Sequence, residues 1–184
     1  FLRVLRADLP PSRPVHLRAD FRDYPRREFQ TASRSEGWGA GQVSFRQPWL
    51  EFQARLADGA RLDLSVVRKV ERTKFWKQCT PSKKKLVVKD RIQDGNVLAL
   101  QTPGSDLSNL VPSLTPGPPG GLVGRSLETP GDRVRLVVTA PRIRRRAAAK
   151  LDPSAGASGD RLLGLLAWLY DGIHRARTPA SPTA

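Results

Sequence analysis

The stretch WLEFQARLADGARLDLSVV, residues 49–67, decides the fold. Apolar and polar residues alternate from Leu50 to Leu56, and again from Leu62 to Val66, on either side of an Asp-Gly pair. Alternation with a period of two is typical of half-buried strands, and Asp-Gly between two such runs indicates a hairpin. A two-residue loop would turn the two apolar sets toward opposite faces of the sheet. A three-residue loop, with Gly59 at positive φ, gives both sets one face and predicts the pairs Leu56–Ala60, Ala54–Leu62, Phe52–Leu64 and Leu50–Val66.

The pattern continues on the C-terminal side of this hairpin. The second strand is predicted to run on to Phe75 and Trp76, turn at CTPS (residues 79–82) and return as KKKLVVKDR, which makes a basic hairpin. A third turn is predicted at Gln93-Asp94-Gly95, followed by a strand over 96–101. The expected fold class is therefore mainly β, a small antiparallel meander or partly open barrel, with one C-terminal amphipathic helix and a long Pro/Gly-rich loop.

Composition divides the rest of the chain. Residues 102–131 contain 12 Gly or Pro in 30, which does not suit a strand ladder, whereas leucines at helical spacing follow Asp160, a plausible N-cap. We expect the helix to dock on the sheet by its leucine face. The predicted organisation is an extended N-terminal arm (1–20), a β-rich core domain with the basic hairpin (21–101), a Pro/Gly-rich linker or long loop (102–131), an edge strand with an Arg cluster (132–146), a linker (147–159), a helix (160–177) and a disordered tail (178–184).

Positive charge is concentrated in two blocks. The chain has a formal net charge of +15 over 184 residues. Residues 68–91 hold 10 cationic and 2 acidic side chains, and residues 132–146 hold 6 and 1. Seven of the eight lysines lie in the first block of a chain that otherwise uses arginine, which composition bias alone does not explain. The distribution indicates a surface that attracts polyanions.

Residues suited to catalysis are scarce. The two histidines, His16 and His174, lie far apart in the predicted organisation, and no carboxylates are spaced as a metal-binding pair. Ser82 and Lys85 match an SxxK pattern without its companion motifs, and Cys79 is a single thiol with no partner for a disulfide or a CxxC motif. We therefore expect no enzyme activity, catalytic residue, metal, cofactor or small-molecule substrate.

Cations interleaved with aromatic residues, as in RTKFWK (residues 72–77), are what single-stranded nucleic acid binding requires, because bases stack on rings while cations contact phosphates. Phe75 and Trp76 are neighbours and should face opposite sides of a strand, so one is expected in the core and at most one is free to stack. The predicted stacking residues are Phe75 and Trp76. The predicted polyanion contacts are Arg68, Lys69, Arg72, Lys74, Lys77, Lys83, Lys84, Lys85, Lys89, Arg144, Arg145 and Arg146.

Three functional readings stay open. The first is a non-catalytic basic domain that binds nucleic acid in the cytoplasm. The second is a juxtamembrane domain facing anionic lipid at the inner side of a membrane, with FLRVLR (residues 1–6) as the exit of an upstream apolar anchor. The third is a structural domain whose basic hairpin is a solvated edge that prevents aggregation between sheets.

Overall fold

The computed structural model describes residues 9–104, 107, 110, 114, 117–146 and 159–177. Within them, eight strands form one antiparallel sheet that does not close, and a single helix follows it. The prediction of a mainly β fold with one C-terminal helix is confirmed. The elements are β1 (His16–Ala19), β2 (Gln30–Gly37), β3 (Ala40–Arg55), β4 (Arg61–Thr80), β5 (Lys83–Gln101), β6 (Val123–Glu128), β7 (Arg133–Thr139), β8 (Ile143–Arg146) and α1 (Gly159–Arg177).

Three long strands, β3, β4 and β5, form the centre of the sheet. The outer side of β3 pairs with β1 near one end and with β2 near the other. The outer side of β5 pairs in the same way with β7 and β8, and β6 lies beyond β7. Each end of the sheet therefore has its own flanking strands, and each is covered by a different part of the chain.

The register predicted for residues 49–67 is confirmed. Leu50 pairs with Val66, Phe52 with Leu64 and Ala54 with Leu62. The backbone N–H of Leu56 donates to the carbonyl oxygen of Ala60 at 2.8 Å, and Gly59 has φ +85°, as the three-residue loop requires.

The basic hairpin is also present, with Thr80 paired to Lys83 across the turn. The third turn, predicted at residues 93–95, is wrong, because β5 continues unbroken through Lys83–Gln101. Gln-Asp-Gly is a turn signal only when no partner strand is available. Here β4 supplies one, with Lys69, Arg68 and Val67 opposite Gln93, Asp94 and Gly95.

The main core lies between α1 and one face of the sheet, which we call the front face. Buried sheet residues include Phe52, Leu64, Leu98 and Leu136. The predicted C-terminal helix is present as α1, and its apolar side chains belong to this cluster: Leu162, Leu165, Leu166, Leu169 and Ile173, with Tyr170 partly buried beside them.

A second, smaller core covers the front face nearer the basic hairpin. Tyr24 and Phe29, from the segment before β2, pack on Phe45, Val70 and Ile92 of the three central strands. The amide of Gln47, which is buried, donates to the carbonyl oxygens of Asp20 and Arg22 and fixes this segment on the sheet.

Two predictions about residues 102–146 need correction. The Pro/Gly-rich segment was expected to contain no strand, yet it forms β6, and Leu107, Leu110, Leu114 and Leu122 from the same segment are buried in the main core. The strand in 132–146 was expected at an edge, but β7 lies between β5 and β6, because β6 occupies its other side.

The ends of the chain are only partly described. In the predicted N-terminal arm, β1 pairs with β3, and residues 1–8 lie outside the described residues. The predicted linker lies outside them except for Gly159, which begins α1, and the predicted tail lies wholly outside them.

Candidate polyanion-binding face

The back face of the sheet, opposite α1, carries exposed cations beside the basic hairpin. Residues paired directly across an antiparallel ladder project to the same face. By this register the face receives side chains from β2, β3, β4, β5 and β8. We call this set the basic face: Arg34, Arg46, Lys69, Lys77, Lys85, Lys89, Arg91 and Arg144, all of them exposed.

Three pairs on the basic face place like charges directly opposite each other. Lys77 pairs with Lys85, Arg46 with Lys69, and Arg91 with Arg144. Such pairs destabilise a sheet. Glu71 is the one carboxylate that the register places among them, and within the described residues no basic-face cation lies within 4 Å of a carboxylate oxygen.

The other half of the back face is different, because three of its cations lie close to carboxylates. Arg18 lies 3.9 Å from Glu51, Arg61 lies 3.1 Å from Asp63, and Arg135 lies 3.3 Å from Glu128. Arg55, opposite Arg61, and Arg133 also lie on this half, so the excess of positive charge is larger at the end that carries the basic hairpin but is not confined to it.

Arg68 and Arg72 depart from the predicted set of polyanion contacts, because both lie on the front face and are engaged inside the protein. Arg68 makes two hydrogen bonds to Asp94, at 2.9 and 3.1 Å, and its guanidinium lies 5.6 Å from the ring centre of Trp49. Its charge is used to neutralise a buried carboxylate, since the Asp94 side chain is 1% exposed.

Arg72 forms the same kind of ion pair four residues further along β4. It makes two hydrogen bonds to Asp90, at 2.9 and 3.0 Å, and the hydroxyl of Tyr24 donates to the same carboxylate at 2.5 Å. The hydrogen bond to Asp90 raises the pKa of the Arg72 guanidinium above its ordinary value. We therefore leave both arginines out of the candidate face.

The remaining predicted contacts are divided between the two faces. Lys69, Lys77, Lys85, Lys89 and Arg144 lie on the basic face, Lys74 and Lys84 lie on the front face, and Lys83 adjoins the turn. The backbones of Arg145 and Arg146 pair with Asp90 and Lys89, and their side chains lie outside the described residues.

Phe75 and Trp76 face opposite sides, as predicted, but the expectation that one of them belongs to the core is wrong. Phe75 is on the back face, partly exposed, with the ammonium of Lys89 5.1 Å from its ring centre. Trp76 is 47% exposed on the front face. The reason is that, in the part of the chain that the structure describes, β4 and β5 extend past the last pair with β3, Gly41 to Lys74, as a two-stranded ribbon that neither hydrophobic core covers.

Arg34, Arg46 and Arg91 were missed as candidates. Arg91 lies inside the first basic block, whereas the predicted ladder between β3 and β4, extended without a shift, would pair Arg46 with Val70 on the front face. A bulge at Trp49, between the pairs Pro48–Val67 and Leu50–Val66, shifts that ladder by one residue, and nothing in the sequence marks it.

The described part of the chain holds neither a metal-binding cluster nor a membrane-spanning helix. It contains no group of three or more His, Cys, Asp or Glu side chains placed to hold a metal ion. Over the same residues, α1 included, no helix combines the length and hydrophobicity needed to traverse a bilayer. Cys79 is an exposed free thiol at the end of the ribbon.

No protein-family model, curated protein sequence or solved structure gives a significant match to this chain. Its function is therefore inferred from its own residues and their geometry.

Proposed function

We propose that this protein is a non-catalytic domain that binds nucleic acid through the basic face. The observation that carries the proposal is the concentration of charge: within the described residues, eight exposed cations share one end of one face with a single carboxylate, while three of the cations at the other end lie close to carboxylates. An anion bound across Lys77–Lys85, Arg46–Lys69 and Arg91–Arg144 offsets the repulsion within each pair.

The dimensions favour a polymer over a small anion. The basic face extends along β4 from Lys69 to Lys77, a distance of roughly 26 Å at the rise of an extended strand. One small anion contacts only a fraction of that length. A nucleic acid carries a phosphate charge at every few ångströms of its axis and matches the whole face.

The face is suited to non-specific recognition. Contacts from Lys and Arg to phosphates position a nucleic acid and contribute salt-dependent affinity without reading its sequence. Apart from Phe75, beneath Lys89, the register places few large apolar side chains among the cations of this face.

The proposal is tested by fluorescence anisotropy of a labelled single-stranded RNA over a salt series. The variant K77A/K85A/K89A removes three basic-face charges, and the matched control R18A/R61A/R135A removes three charges that are paired on the other half of the back face. For single strands the slope of log K against log salt is about −0.7 per neutralised phosphate. We expect the basic-face variant to lose about two units of slope and the control to keep the wild-type slope.

Equal slopes for the two variants would contradict the proposal, since RNA affinity would then depend on the net charge of the protein and not on where the cations lie. Absence of RNA binding at low salt, with or without binding to vesicles containing phosphatidylserine, would also contradict it. Vesicle binding in that case would favour the juxtamembrane alternative, and binding to neither probe would favour a solvated edge.

A further inference from the structure

A cleft of about 470 Å³ lies on the front face of the two-stranded ribbon, beside Trp76 and Lys84. It is lined by the turn between β2 and β3 and by the ribbon: Glu36, Gly37, Trp38, Ala40, Trp76 and Lys84. The indole N–H of Trp76 donates to the backbone carbonyl oxygen of Trp38 at 2.9 Å, which fixes that ring beside the turn. Two tryptophans thus line one open cleft together with a cation and a carboxylate.

Trp38 occupies a position that does not suit it. Gly37 pairs with Ala40, so Trp38 and Gly39 form a two-residue loop, and both have positive φ, +49° and +77°. Loops of this kind strongly prefer Asn-Gly, because a large side chain at positive φ is strained. Trp38 is also 94% exposed, so burial does not compensate for the strain. Backbone strain of this sort concentrates at functional sites.

We propose that the cleft binds an unpaired nucleobase, stacked on Trp38 and Trp76, and that Glu36 favours bases that carry an amino group. This inference rests on the proposed function, because the basic face on the other side of the same ribbon holds the phosphates. Bases of single strands stack on aromatic rings while nearby cations contact the backbone, and Lys84 is placed for that contact. A single strand passing over the edge of the ribbon reaches both faces.

Under this proposal, Glu36 determines which nucleobase the cleft prefers, and it also disfavours an anionic lipid surface. A carboxylate accepts hydrogen bonds from the amino groups of cytosine, adenine or guanine, whereas uracil has no amino group and offers only its N3–H, between two carbonyl oxygens that a carboxylate repels. The same repulsion acts against the headgroups of an anionic bilayer. The carboxylate in the cleft therefore favours a base over a lipid surface as the occupant.

The test compares three labelled probes of about 12 nucleotides, within the size that single-strand-binding domains cover. The probes are oligocytidine, oligouridine and an abasic oligomer of equal charge. We expect wild type to bind oligocytidine most tightly. W38N is expected to fold, since Asn suits the turn, to bind oligocytidine about tenfold more weakly and to bind the abasic oligomer unchanged. E36Q is expected to reduce the difference between oligocytidine and oligouridine.

The matched control is F21A, which removes an aromatic ring that is 85% exposed and does not line the cleft. It is expected to leave all three affinities at their wild-type values. If W38N binds oligocytidine as wild type does, or if the abasic oligomer binds as tightly as oligocytidine, the stacking site is wrong while electrostatic binding stands.

If none of the three probes binds, the proposed function fails as well. Binding of phosphatidylserine vesicles by wild type but not by W38N, without binding of any oligomer, would overturn the nucleobase site in favour of a lipid-contacting one.

Discussion

Replacing Arg72 by Met is expected to lower the free energy of unfolding by ~3–5 kcal/mol, the usual loss when one partner of a buried ion pair is removed. The Asp90 side chain is 0% exposed and accepts two hydrogen bonds from Arg72, at 2.9 and 3.0 Å. Without the guanidinium the buried carboxylate loses two charge-assisted hydrogen bonds, and the methionine covers only the apolar part of what Arg72 covered.

The side chains of Tyr24, Arg72 and Asp90 also predict how the lost free energy of unfolding is recovered. D90L leaves Arg72, whose side chain is 19% exposed, without its acceptor, and is expected to be about as harmful as R72M. Y24F removes one hydrogen bond to a charged group and is expected to cost ~1.5–3 kcal/mol. The triple variant Y24F/R72M/D90L replaces the polar layer by apolar side chains and is expected to lie within ~1–2 kcal/mol of wild type, because a buried ion pair contributes little relative to well-packed apolar residues.

The assay is equilibrium unfolding in urea of the wild type, the single variants and the triple variant. The exposed pair Arg61–Asp63, with side chains 56% and 34% exposed, supplies the control. R61M and D63L are each expected to change stability by less than ~1 kcal/mol. A loss for R72M as small as that for R61M would refute the reasoning, and so would a triple variant as unstable as the sum of its single changes.

Two further predictions concern α1 and the loop before β2. G164A is expected to stabilise the protein by ~0.5–1 kcal/mol, because the added methyl group makes only ordinary contacts. G172A is expected to destabilise it by ~1–3 kcal/mol, because the methyl group would collide with Leu114. Thermal unfolding of the two variants checks both predictions. The hydrogen bond from Arg22 lowers the pKa of Asp20 to about 2. The stabilising effect of this hydrogen bond should therefore be complete above about pH 4 and disappear as the pH falls toward 2. An NMR titration of the Asp20 carboxyl carbon checks the lowered pKa, and a midpoint near pH 4 would contradict it.

Local signals made the central hairpin and the helix predictable. Asp58-Gly59 lies between two alternating runs, and only one loop length gives both runs the same buried face, so turn chemistry and burial agree. The leucines of α1 repeat at helical spacing over several turns. In both cases a single stretch of sequence carries the whole pattern.

Long-range pairing explains what the sequence did not reveal. Asp94-Gly95 has the composition of a turn, but Asp94 is neutralised by Arg68 and the strand continues along a partner already formed. β6 was missed because its neighbours are rich in Pro and Gly, although β7 offered it an unpaired edge.

The positive charge of the candidate site could be predicted from the sequence, but which cations lie on the same face of the sheet could not. Two cationic blocks were evident, yet which cations share a surface depends on register. The burial of Arg68 and Arg72 depends on aspartates 26 and 18 residues away. The role proposed for Trp38 depends on a hydrogen bond from Trp76 across 38 residues.

Within the described residues, the pair Lys77–Lys85 lies in the part of the ribbon where β4 and β5 pair only with each other. Two-stranded ribbons are marginal in water, and mutual repulsion at this pair weakens this one further. Its amide hydrogens should therefore exchange with deuterium faster than those around Leu64 and Leu98, where the same two strands are flanked and buried. A bound polyanion offsets the repulsion between Lys77 and Lys85 and should therefore stabilise the ribbon and slow its amide hydrogen exchange.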